Sequence, residues 1–113
     1  MAAQIIDGKA IAGQVREEIK AEVAGLATRG VKPGVATILV GEDGGAQFYR
    51  GQIEKNTGTV GFAYFNHTLP AGASEAEILE LIARLNADTT VHGILALMPM
   101  DAEIDQNTVF NAI

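Results

Sequence analysis

Three features predict an α/β domain, a three-layer α/β/α sandwich around a small, mostly parallel open sheet. Apolar periodicity switches between helical and extended patterns in the order α, β, α, β, α, β, α. The connections are short, which demands parallel strands joined by crossover helices. The three strand ends, Gly41 to Gln47, Leu69 to Ala73 and Met98 to Glu103, carry the loop chemistry that open sheets place beyond their carboxyl edges.

The first helix is predicted from Gly8 to Arg29. Ile11, Val15, Ile19, Val23 and Leu26 recur every three or four residues on one face, and Gly30 provides a stop. After Pro33, Val35 to Val40 is β-branched and almost wholly apolar, the pattern of a central strand covered on both faces. A second helix is expected from Ala46 to Gly58, weakened by Gly51 and Gly58 at a cost of about 1 kcal/mol each relative to alanine.

Phe62 to Leu69 alternates and ends at Pro70, as a strand nearer an edge should. Ser74 and Glu77 form a capping box for a third helix, whose stripe is Ile78, Leu81, Ile82 and Leu85 and whose end is Asn86. Gly93 to Met98 is a third strand, halted by Pro99. Asp105 opens a last short helix with Val109, Phe110 and Ile113 expected to face inward.

A chain of 113 residues supports one core, so residues 1–113 are read as a single domain. The net charge of −6 opposes the electrostatic footprint of nucleic-acid or anionic-membrane binding. No apolar run approaches the roughly 20 residues that span a bilayer, and no signal peptide is recognisable. With no cysteine, the expected compartment is the cytoplasm. The two histidines, His67 and His92, lack metal-ligand spacing, and no metal is expected.

The loop Gly41 to Ala46 invites a phosphate reading, but it matches no dinucleotide or P-loop pattern, and Glu42 and Asp43 would repel a phosphate. The acidic pairs Glu42 with Asp43, and Asp101 with Glu103, are read as solvated loop acids rather than acid–base pairs. His67 is read as a strand residue, and no serine or cysteine nucleophile stands beside a base.

The segments IIDGKAIAGQV, LVGED, Tyr49, VGF, Leu69-Pro70 and SEAEILELIARLNADTTVHGIL resemble the N-terminal domain of the bifunctional methylenetetrahydrofolate dehydrogenase/cyclohydrolase family. The resemblance runs along essentially the whole chain but only the first two fifths or so of a typical member. It implies that the dinucleotide-binding domain of these NADP-dependent enzymes is absent and that no cofactor is held in this chain.

The resemblance further implies a folate site in which Tyr49 stacks on the ring system and Pro99 belongs to the substrate-binding edge. In the family a lysine lies four residues after the tyrosine, oriented by a glutamine in a V-Q-L-P-L-P run. Here the lysine position is Ile53 and the glutamine position is Leu97, so no catalytic residue of that pair is intact. Isoleucine carries no proton to transfer. Lys55 is no simple substitute, since two residues rotate it by about 200° around a helix. The second proline is Asp101, Pro-Ala-Ser is Gly44-Gly45-Ala46, and the usual Lys-Ala-Cys is Lys55-Asn56-Thr57. The family's pterin-holding aspartate is expected beyond Ile113.

These departures share a direction. Phe48, Ile53, Leu97 and Met100 are expected to gather apolar area in an altered cleft, with Met98 extending the core. The pattern resembles an isolated, engineered domain without the parent activity. Two other functions compete with that reading. One is a module that binds an apolar small molecule or a second copy of itself. The other is residual folate binding or one-carbon enzyme activity.

Overall fold

The computed structural model describes residues 2–101 and 103–113. It contains α1 (Gly8–Ala27), β1 (Gly34–Val40), α2 (Gly44–Val60), β2 (Ala63–Leu69), α3 (Glu75–Ala87), β3 (Gly93–Ala96) and α4 (Gln106–Ala112), in the predicted order. The strands form a parallel sheet in the order β2-β1-β3, so the strand predicted as central is central. Helix α2 lies on one face and α3 and α4 on the other, with α1 packed on α2 as an outer element.

Strand alternation decides which side chains meet which layer. Ala36, Ile38 and Val40 point to α3 and α4 and join Ile78, Leu81, Ile82, Leu85 and Val109 in the main core. Leu39 points the other way and meets Ala46 and Leu97 in a small second cluster. Thr37 shares that side. Fully buried, it is satisfied by the Tyr64 hydroxyl at 2.7 Å.

The helix ends follow side-chain chemistry. Asp7, Asp43, Ser74 and Asp105 each accept a backbone N–H at the start of α1 to α4. Helix α2 is longer than predicted because Asp43 caps it through the Ala46 amide at 2.9 Å, and it runs on to Gly61, a left-handed cap at φ 91°. Added side chains at Gly51 and Gly58 would meet open space, so these glycines weaken the helix without ending it.

Three expectations need correction. Strand β3 ends at Ala96 rather than Met98: after Leu97 donates to Ile38 at 2.9 Å, Pro99 has no N–H with which to continue a ladder. Helix α3 runs through Asn86 to Ala87. Phe110 and Ile113 are 45% exposed, and only Val109 of that trio is buried, because a seven-residue helix presents one narrow stripe. Helix α1 buries none of its residues: its main contact is with α2, Ile19, Val23 and Leu26 are partly buried, and Ile11 and Val15 remain about half exposed.

Candidate functional site

At the carboxyl edge of the sheet, α2 crosses above β1 with two chemically different flanks. Toward β3, Ile53 covers the buried cluster of Leu39, Ala46 and Leu97, and Leu97 is 3% exposed. Toward β2, Arg50 Nη1 donates to Thr68 Oγ1 at 2.9 Å and Asn66 Oδ1 at 3.4 Å. Two helical residues three positions apart thus anchor the same helix, one by apolar contact and one by hydrogen bonds.

Tyr49, one turn before Ile53, is 55% exposed and free to offer a ring face to a ligand. Pro99 is exposed at the end of the third strand's run, after a cis Met98–Pro99 peptide. A cavity of about 420 Å³ opens between the ends of β1 and β2, with Gly41, Glu42, Thr68 and Pro70 on its walls. Tyr49 and Ile53 do not line it.

The four residues expected to make one apolar cleft are only partly brought together. Ile53 and Leu97 share a cluster. Phe48, by contrast, is 72% exposed, because five residues of helix turn it about 140° away from Ile53. Met100 packs against the main core on the opposite face of the sheet. Their apolar character therefore does not add up to one surface.

The remaining candidates are placed as follows. Asp43 is occupied as the α2 cap, whereas Glu42 is exposed on the cavity wall. The Asp101 carbonyl accepts from Ile104, and the Asp105 amide donates to Glu75 Oε2 at 3.2 Å. Lys55 is exposed. His67 is half-buried on β2, opposite Ile38. Among the described residues no group of three or more His, Cys, Asp or Glu could hold a metal ion, and no helix is long and apolar enough to cross a membrane. Arg50 escaped the sequence reading, since its partners lie 16 and 18 residues away on a strand whose register the sequence does not display.

Parallel strands flanked by helices, with an exposed tyrosine and a cavity at the carboxyl edge, define the open-sheet class of ligand-site scaffolds. Comparison narrows the class. Residues 6–113 match the family described as tetrahydrofolate dehydrogenase/cyclohydrolase, catalytic domain, and the chain belongs to that family. Bifunctional protein FolD of Cereibacter sphaeroides is 51% identical over 114 residues, covering all of this chain and 38% of that protein. The Heliobacterium modesticaldum protein of the same name is 49% identical, with 39% of it covered.

Among solved structures, the bifunctional FolD enzyme of Campylobacter jejuni superposes with a TM-score of 0.97 at 31% identity, covering 99% of this chain and 40% of that one. The silkworm 5,10-methylenetetrahydrofolate dehydrogenase gives 0.94 at 30% identity, with 39% of that chain covered. The chain thus spans about two fifths of the length of these relatives.

Proposed function

We propose that this chain is a folate-site domain in which the proton-carrying pair has been replaced by a matched apolar pair, leaving ring stacking without the parent catalysis. The observation that carries the reading is the contact of Ile53 with the cluster of Leu39, Ala46 and Leu97. Both positions at which the family resemblance expects polar groups here hold hydrocarbon, and the hydrocarbon is packed. A general acid or base must present a titratable group to the reacting atoms, and neither side chain has one. Arg50 is committed to β2, and an arginine stays protonated.

Tyr49 supports the retained half of the proposal. Its exposed ring stands one turn before Ile53, and stacking on an aromatic face needs no lysine. The family description and the names of the relatives make a folate the ligand class to test first. An apolar-ligand cleft has less support, because Ile53 packs onto the cluster that holds Leu97, while Phe48 and Met100 lie elsewhere.

The deciding measurement is hydrolysis of 5,10-methenyltetrahydrofolate followed by absorbance. The expected rate equals the uncatalysed one. Turnover above that rate which disappears in Tyr49→Phe overturns the loss of activity. Calorimetric titration with folate tests the retained binding, whose heat should vanish in Tyr49→Ala.

A further inference from the structure

At the amino edge of the sheet, about 20 Å from the site above by the length of β1, a second constellation lies outside anything the folate reading uses. The Gly34 amide donates to His92 Nδ1 at 2.9 Å, and the His92 amide donates back to the Gly34 carbonyl at 2.8 Å. The approach is so close that a Cβ on Gly34 would lie 2.0 Å from the Thr90 carbonyl oxygen, so only glycine fits there.

A ring nitrogen that accepts a hydrogen bond carries no proton. His92 is therefore the neutral tautomer with its proton on Nε2. Among the described residues nothing in the protein accepts from that Nε2–H.

His92 lines a cavity of about 440 Å³ together with Lys32, Ala63, Phe65, Thr89 and Thr90. That volume lies within the range of small-molecule sites. Its lining combines a lysine and two threonines with an aromatic residue and small apolar ones, and no Asp or Glu lines it. The neighbouring Asp88 is already engaged, accepting from both the Thr90 amide at 2.9 Å and the Thr90 hydroxyl. Those two donors hold its carboxyl below the usual carboxylate range.

We propose that this amino-edge cavity binds a small aromatic carboxylate, its anionic end on the Lys32 ammonium and the His92 Nε2–H, its ring against Phe65 and Ala63. An oxyanion between a cation and a fixed N–H donor makes two charge-assisted hydrogen bonds, which orient as well as attract. The apolar wall distinguishes the ligand from an inorganic anion, which would leave Phe65 and Ala63 without a partner.

Titrating the intact chain with benzoate, and separately with inorganic phosphate, tests this by amide NMR and long-range 15N spectra of the His92 ring. Benzoate should give saturable shifts at the Gly34 amide, at Thr89 and Thr90 and at His92 Nε2, and phosphate should bind more weakly. Lys32→Ala, at an exposed position that leaves the core intact, should weaken benzoate by about tenfold. Lys55→Ala, which does not line the cavity, should leave the affinity unchanged. The proposal is overturned by no saturable shift, by phosphate binding as tightly as benzoate, or by equal affinities in Lys32→Ala and the parent chain.

Discussion

The two faces of the sheet are packed to different depths. On the α3/α4 face, Ile38, Ile78, Ile82 and Val109 are at most 1% exposed and belong to one continuous core. On the α2 face, the buried apolar cluster is Leu39, Ala46 and Leu97, covered by a half-buried Ile53, while α1 outside it buries nothing. The contrast separates the main core from the carboxyl-edge positions. The face that holds the larger core is not the face that carries positions 53 and 97, so those two residues can change chemically without dismantling that core.

The largest test of this contrast is Ile78→Ala. It should cost about 3 to 4 kcal/mol in denaturant unfolding, because the surrounding core relaxes only partly into the void. A loss below about 1 kcal/mol would mean that the α3/α4 face is not the stabilising one.

Next comes the site pair. Leu97→Gln alone should cost about 2 to 3 kcal/mol by burying an amide without a partner. Ile53→Lys alone should cost about 1 kcal/mol, since its half-buried position lets the ammonium reach water. The double variant should lose less than the sum, as lysine and glutamine can satisfy each other. Additivity within about 0.5 kcal/mol would show the two positions to be independent.

Removing the α2 cap with Asp43→Ala should cost about 1 kcal/mol by the same unfolding measurement, and an unchanged midpoint would show that α2 is held from the sheet alone. On the outermost layer, Val15→Ser should change stability by less than about 0.5 kcal/mol, since the residue is 45% exposed. A larger loss would reveal that α1 contributes more than its burial indicates.

The smallest effect lies at the amino edge. Thr90→Val removes the hydroxyl donor to Asp88, so the carboxyl's NMR titration midpoint should rise toward its ordinary value of 3.8. A folded-state value below the unfolded one contributes stability above that unfolded value, and the contribution is lost as pH falls through the folded one. The variant should therefore lose this small contribution at neutral pH, where it is fully present, and the difference from the parent chain should close as pH falls through the folded value. An unmoved midpoint would assign the shift to the backbone amide alone.

Much of this was readable before any coordinates. The β-branched run from Val35 to Val40 announced a strand buried on both faces, and Ile78, Leu81, Ile82 and Leu85 announced the helix stripe that covers it. The identities of Ile53 and Leu97 were equally plain. Their sharing of one apolar cluster was not, since they are 44 positions apart and come together only because Leu97 follows β3 in register beside Leu39. Met100 shows the limit from the other side: it is apolar and sits at the predicted edge, but its side chain joins the opposite layer.

By itself the sequence determined the order of elements, the helix starts at Ser74 and Asp105, the central strand and the absence of a titratable group at positions 53 and 97. These depend on local chemistry, on what each residue can bond, bury or protonate. Only the tertiary structure decided that the α1 stripe is covered no more than in part, that Phe110 is left 45% exposed and that His92 is locked against Gly34. Periodicity tells which residues share a face, but whether that face is buried depends on what the rest of the chain brings against it.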